Sequence, residues 1–181
     1  MLPEPIADAA ADPAAQTHYQ VRFGRGPAAL DTVASHADVV IWVDALPEPP
    51  AAGATPAVPV APTLDGIPII HADLRNRSNA ARWMLEQQVL AGRRVSVAVV
   101  AAADSVEDTL AAGAVIDALA ALGIDFSSPE AAVACASFTA LQRAVGHLLT
   151  ASVAGRALIA AGHAAVVADA SGIDSQPPVV A

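Results

Sequence analysis

The chain has 181 residues, and its nine basic residues, all arginine, face 18 acidic ones, for a formal net charge of −9. This charge argues against electrostatic binding of nucleic acid. Hydrophobic residues make up 55% of the chain, which argues against a disordered chain, and its single cysteine argues against a disulfide scaffold. Charge-free stretches are short or broken by proline, and the N-terminus is acidic, so we expect no membrane span and no signal peptide. The expectation is a soluble, cytoplasmic protein.

The N-terminal third predicts a tail followed by strand, helix and strand. Residues Met1–Thr17 lack apolar periodicity and are expected to form a disordered tail. His18–Phe23 predicts a short strand, and Ala28–His36 predicts a short helix. The run Asp38–Val43 is continuous, apolar and rich in β-branched residues, as is typical of a buried central strand.

A proline-rich segment, residues 46–66, interrupts this pattern. Proline breaks helices and cannot donate to a β-ladder, so the segment predicts a long loop. We expect one domain over residues 18–181 that contains this loop. Its prolines are Pro47, Pro49, Pro50, Pro56, Pro59 and Pro62.

Strand and helix patterns alternate after the loop, and serines followed by acidic residues or proline mark several helix starts. We expect strands over Gly66–Ile70, Arg94–Ala102 and Ala164–Val167, helices over Ser78–Ala91, Ser105–Leu122, Ser128–Thr150 and Ser152–Ala161, and a final loop from Ser171. This alternation predicts the α/β class: a three-layer α/β/α sandwich with a largely parallel or mixed sheet.

Asp44 is the first candidate functional residue, because it directly follows the strand Asp38–Val43. Ligands of open α/β sheets bind beyond the carboxyl ends of strands, and a carboxylate there suits Mg²⁺. Alternatively, Asp44 is a turn residue that hydrogen-bonds its own backbone.

Two further clusters lie at predicted helix starts. Arg75 and Arg77 stand where free backbone N–H groups favour anions, and their guanidinium groups suit phosphate; alternatively, they are paired with acidic residues elsewhere. Glu107 and Asp108 lie in the first turn of a helix and could either add metal ligands near Asp44 or merely stabilise the helix dipole.

The remaining reactive side chains show no pattern that indicates a metal or catalytic site. The histidines and Asp104 lack metal-ligand spacing, and Cys135, in an apolar helix, predicts a small core residue.

Several segments, taken in order, resemble the 2-phosphosulfolactate phosphatase family. Leu74–Arg82 resembles its LRNASAVAR segment, and Ser105–Asp117 resembles its LED…AGAI segment. Asp38–Leu46 resembles the strand before its DVLRA motif, Ala154–Leu158 resembles its SxxGRxL motif, and Asp174 resembles its late aspartate.

The resemblance implies a Mg²⁺-dependent phosphatase of the α/β/α type that hydrolyses a small anionic phosphate monoester. In the family, this step releases phosphate from 2-phosphosulfolactate during coenzyme M biosynthesis. Carried over by position, it implies Asp44, Arg75 and Asn76 as catalytic residues and Asp44, Glu107 and Asp108 as metal ligands.

The chain also departs from the family. Pro47 stands where the family has arginine, and Glu48-Pro49-Pro50 replaces its Ser/Thr run. These departures leave open an alternative: a non-catalytic relative that acts as a binding or interaction protein, or one whose acids hold metal only for stability. Under either hypothesis, an alanine-lined helix over Ala111–Leu122 could pack against a copy of itself in a homo-oligomer.

Overall fold

The computed structural model describes residues 12–51 and 53–176 and has a four-stranded, fully parallel sheet. The strands are β1 (Val21–Arg25), β2 (Val39–Val43), β3 (Ile69–Ala72) and β4 (Val97–Ala101). Their order across the sheet is β1-β4-β2-β3, so β2 and β4 are the central strands. The predicted α/β class is confirmed.

Strands β2 and β4 were predictable because both of their faces are buried. Every residue of each strand is buried, and most are β-branched, which suits a pleated surface between two layers. Alternate side chains point to opposite faces: Val39, Ile41 and Val43 join the larger core cluster, whereas Val40 and Trp42 join a smaller one.

Three helices pack on the first face of the sheet, which carries the larger core. They are α1 (Arg77–Ala91), α2 (Val106–Ala121) and α3 (Pro129–Leu141). A Cβ on Gly113 of α2 would overlap the carbonyl oxygen of Ala134 in α3, so these helices approach very closely there. Because most of α2 is buried inside its own chain, its alanine face is not free to pack against another copy as we expected. A homo-oligomer stays a prediction, but its interface would have to lie somewhere other than the alanine face of α2.

The second face has a thinner cover. The predicted helix over Ala28–His36 is only a π-helical turn at Leu30–Ala34, and side chains of the proline-rich segment pack beside it. A Cβ on Gly24 would lie 2.5 Å from the Cβ of Ala29, so a glycine in β1 lets this turn approach the sheet. The segment at residues 46–66 forms no helix or strand where it is described.

The C-terminal region is helical throughout, which corrects two predictions. The helix predicted over Ser128–Thr150 is interrupted after Leu141 by a 3-10 turn at Gln142–Ala144, and the strand predicted at Ala164–Val167 is part of a helix. Alanine has the highest helix propensity of all residues, so an alanine-rich segment favours helix. The remaining helices are α4 (Val145–Ala151), α5 (Val153–Ala160) and α6 (Ala164–Ala170). No helix in the described part of the chain is long and apolar enough to cross a membrane.

The predicted N-terminal tail is partly folded. Pro13–Ala15 forms a 3-10 turn, and the side-chain amide of the buried Gln16 exchanges two 2.9 Å hydrogen bonds with the backbone of Phe23. Residues 12–17 are therefore attached to the domain, because this buried amide binds β1. The rest of the predicted tail, residues 1–11, and the final residues 177–181 of the predicted C-terminal loop lie outside the described residues.

Candidate functional site at the strand ends

The carboxyl ends of β2 and β4 form a switch point of the sheet. The chain leaving β2 enters the proline-rich segment over the second face, whereas the chain leaving β4 enters α2 on the first face. Neighbouring connections that diverge in this way open a crevice between the strand ends, where ligands of parallel α/β sheets commonly bind. The candidate carboxylates from the sequence all lie on segments that reach this edge.

Asp44 is the first residue after β2 and is partly exposed. Its backbone N–H donates to the carbonyl of Ala72 at 3.2 Å, which continues the pairing with β3. Its carboxylate accepts no hydrogen bond from any residue in the described ranges. Burial, followed by the negative charges of Asp108, Glu48, Asp73 and Glu107, raises the pKa of Asp44 from 3.8 to about 7.

Asp108 braces the two strand ends. Only 4% of this residue is exposed, and its Oδ1 accepts from the backbone N–H of Ala45 at 2.8 Å while its Oδ2 accepts from that of Ala103 at 3.1 Å. Ser105 caps α2 as predicted, since its hydroxyl accepts from the Asp108 backbone at 3.1 Å. Burial raises the pKa of Asp108, although these hydrogen bonds oppose it. Asp108 thus joins the segments that follow β2 and β4.

Glu107 differs from its neighbour. Only 5% of the residue is exposed, yet its carboxylate accepts no hydrogen bond within residues 12–51 and 53–176. Its charge contributes to the raised pKa of both Asp44 and Asp108. Of the three predicted metal ligands, Asp44 and Glu107 have uncommitted carboxylate oxygens, and Asp108 does not.

No group of three or more His, Cys, Asp or Glu residues that could hold a metal ion occurs in the part of the chain that the structure describes. Mg²⁺ is usually held by one or two carboxylates together with waters and substrate phosphates. Asp44 and Glu107 supply hard oxygen donors of this kind, so their chemistry fits the ion. The Mg²⁺ site stays a prediction.

Arg75 is held by two carboxylates of the chain. Its Nε and Nη2 donate to Oδ2 of Asp73 at 3.0 and 2.6 Å, and its Nη1 donates to Asp169 at 2.6 Å. Burial acts to lower the pKa of Arg75, but these carboxylates outweigh it and raise that pKa. Asn76 fixes the same loop, because its Oδ1 accepts from the Asp73 backbone at 2.9 Å and its Nδ2 donates to the carbonyl of His71 at 3.5 Å.

Arg77 is also engaged within the chain. It pairs with Asp117 at 2.8 Å and with Asp174 at 3.0 Å, and its guanidinium lies over the ring of Phe138. Asp174 also accepts from the backbone N–H of Ser78 at 2.9 Å, so it caps α1. The helix was expected to begin at Ser78 but begins at Arg77, with Asn76 at the N-cap position and no capping bond from the Asn76 side chain. Of the two alternatives for these arginines, the structure has the paired one.

Asp73 and Glu48 also contribute to this site; Asp73 begins the predicted cluster of Arg75 and Arg77, but neither acid was expected to be a site residue. Asp73 follows β3 as Asp44 follows β2, and it is only 1% exposed. That shared position after a strand was the available signal. Glu48 lies in the proline-rich segment, where no periodic pattern indicates which way a side chain points.

The structure gives the surroundings of three other reactive side chains, His71, Asp104 and Cys135. Nε2 of His71 is 3.0 Å from the Asp44 backbone carbonyl, and Asp104 is highly exposed beside Arg25 at 3.7 Å. Cys135 is half-buried against the core, and burial raises the pKa of its thiol.

Comparison with known proteins adds no relative: no protein-family model matches the chain, and no curated protein matches it significantly.

Proposed function

We propose that the chain is a Mg²⁺-dependent phosphatase that hydrolyses a small anionic phosphate monoester, as the resemblance to the 2-phosphosulfolactate phosphatase family implies. One observation carries the proposal. Asp44 lies at the switch point, where burial and the like charges of neighbouring carboxylates raise its pKa to about 7. A carboxyl group with a strongly raised pKa in a crevice beyond the ends of parallel strands is a candidate for a functional site.

Asp44 and Glu107 are the residues that would hold the ion, and a bound Mg²⁺ would polarise a phosphoryl oxygen. Asp44 must lose its proton before it can act as a ligand. With a pKa of about 7, it releases that proton only near neutral pH. The proposal therefore includes metal affinity that rises between about pH 6 and pH 8.

Arg75 supports the proposal through the donors that it retains. A guanidinium has five N–H groups, and Arg75 donates from Nε, Nη1 and Nη2 once each to carboxylates, so one N–H on each terminal nitrogen remains. Its side chain is 22% exposed. Asp73 orients the guanidinium, and the remaining N–H groups suit the oxygens of a phosphoryl group. Asn76 positions the loop.

The test is phosphate release by the purified protein with Mg²⁺, using a panel of small phosphate esters that includes 2-phosphosulfolactate. We expect release that Asp44→Asn abolishes and that the matched control Asp65→Asn retains, because Asp65 is exposed on the proline-rich segment. If no ester releases phosphate at any pH from 6 to 9, the phosphatase proposal is wrong.

A second candidate is a non-catalytic binding or interaction protein on the same scaffold. The specific observation that favours it is the pairing of each arginine: Arg75 contacts Asp73 and Asp169, and Arg77 contacts Asp117 and Asp174. Two carboxylates per guanidinium reduce the positive charge available to a phosphate. Catalysis that is lost in Asp44→Asn would contradict this second candidate.

A further inference from the structure

A cavity lies at the opposite edge of the sheet from Asp44. Its lining residues precede β1, β2 and β4, lie at the start of β1 or lie beside that start, and in a parallel sheet these starts share one edge. The cavity volume is about 290 Å³, enough for a small ligand. It is lined by Thr17, His18, Tyr19, Gln20, Arg22, Asp38, Arg94, Ser96 and Phe126.

Arg22 is a buried cation at this cavity. It is only 4% exposed, yet among the described residues its guanidinium contacts just two backbone carbonyls, Tyr19 at 3.3 Å and Val33 at 3.4 Å. Burial lowers its pKa, although the charge of Asp38 opposes this. A buried charge without an ion-pair partner is destabilising. Two bonds at the long end of the range leave donors of Arg22 for another group.

Asp38 adds one negative charge to the lining, but other residues already donate hydrogen bonds to both of its carboxylate oxygens. Arg93 donates to both of its oxygens, at 2.6 and 3.2 Å, and Ser96 donates from its backbone and its hydroxyl at 2.7 and 2.8 Å. The exposed side chain of Arg94 forms no ion pair within the described ranges. This edge therefore has an excess of positive charge in a chain of net charge −9.

Aromatic rings line the same cavity. His18, Tyr19 and Phe126 contact one another, with ring centroids 5.3 to 5.4 Å apart. We propose that this cavity binds a small planar organic acid, whose anionic group contacts Arg22 and Arg94 and whose ring packs beside Tyr19 and Phe126. Charge-assisted bonds to the guanidinium groups and contact with aromatic rings are the interactions such a molecule needs.

The test is calorimetric titration of the full chain with benzoate and phenyl phosphate, with benzyl alcohol and inorganic phosphate as probes that lack the charge or the ring. We expect both aromatic acids to bind and each partial probe to bind at least about tenfold more weakly. No binding of either acid at millimolar concentration would overturn the proposal. Equal binding of inorganic phosphate and phenyl phosphate would overturn it too.

Variants locate the binding. Arg94→Gln, at an exposed position, and Arg22→Met should each weaken benzoate binding at least about tenfold. The control Arg156→Gln, also at an exposed position, should bind benzoate as the parent does. If Arg22→Met fails to fold, Arg94→Gln still decides the outcome. Unchanged binding in Arg94→Gln would contradict the proposal. Benzoate binding should persist in Asp44→Asn, so this site and the proposed phosphatase site fail independently.

Discussion

Replacing Asp44 with asparagine keeps the shape of the side chain and removes its charge. The folded protein holds the Asp44 proton more tightly than the unfolded chain does, since burial and neighbouring carboxylates raise its pKa from 3.8 to about 7. The folded state thus binds more protons between these two values, and the contribution of Asp44 to stability is lost as pH rises through them. Above about pH 7, the ionised carboxylate destabilises the fold.

The size of this effect follows from the pKa shift. A rise from 3.8 to about 7 corresponds to ~4 kcal/mol at about 1.36 kcal/mol for each pH unit. Asp44 is partly exposed, so solvent screening reduces the expected value to about 2 kcal/mol. At pH 8, Asp44→Asn should therefore raise the free energy of unfolding by about 2 kcal/mol and the Tm by roughly 4–8 °C.

The assay is urea unfolding, followed by circular dichroism, at intervals from pH 5 to pH 8. The parent should lose stability across this range, and Asp44→Asn should lose less, with the difference largest at pH 8. Asp65→Asn should follow the parent, because Asp65 is exposed on a loop. Parallel curves for the parent and Asp44→Asn at all pH values would refute the reasoning about the carboxylate cluster.

Three further substitutions test the packing and the caps by urea unfolding. Asp108→Ala leaves the backbone N–H groups of Ala45 and Ala103 without an acceptor and should lower the free energy of unfolding by at least ~2 kcal/mol. An unchanged unfolding midpoint would contradict the role of Asp108 in joining the two strand ends. Gly113→Ala should lower the free energy of unfolding by roughly 3 kcal/mol or more, because the new Cβ overlaps a neighbouring helix. Its control, Gly146→Ala, should leave stability unchanged or raise it, because the nearest atom to the new Cβ is 3.6 Å away. Asp174→Ala removes the cap at Ser78 and should cost ~1 kcal/mol, whereas no loss would mean that this capping bond does not contribute.

Local signals explain what the sequence could predict. The buried strands β2 and β4 follow from continuous β-branched runs, and the helix starts at Ser105, Ser128 and Ser152 follow from caps whose partners lie three residues away. Both partners of such an interaction lie within one short segment of the chain, so the sequence of that segment is enough to predict it. The position of Asp44 was predictable for the same reason, since it depends only on where its strand ends.

Long-range partners explain what the sequence could not predict. The carboxylate that accepts from the N–H of Ser78 in the first turn of α1 belongs to Asp174, 96 residues away along the chain. Arg75 pairs with Asp169, which is 94 positions further along the chain, and Arg77 pairs with Asp174, which is 97 positions further along. Burial of Arg22 depends on the turn that packs on β1, and a single arginine in a strand pattern gives no sign of it.

The alanine-rich C-terminal region failed for a different reason. Ala164–Val167 has an apolar run that suits either a buried strand or a helix, and periodicity does not distinguish them in so short a segment. The four-stranded sheet does not include this segment, which packs as α6 beside α5.

The most direct test of the central claim is the titration of the Asp44 carboxyl carbon by NMR, with Asp44→Asn used to assign the resonance. We predict that Asp44 titrates with a pKa near 7 in the protein alone, because burial and the carboxylates around it oppose its ionisation. Addition of Mg²⁺ should lower that pKa, since a cation favours the ionised form. Titration near 3.8 without Mg²⁺, or no response to the ion, would contradict the account of the strand-end carboxylates as a cation site.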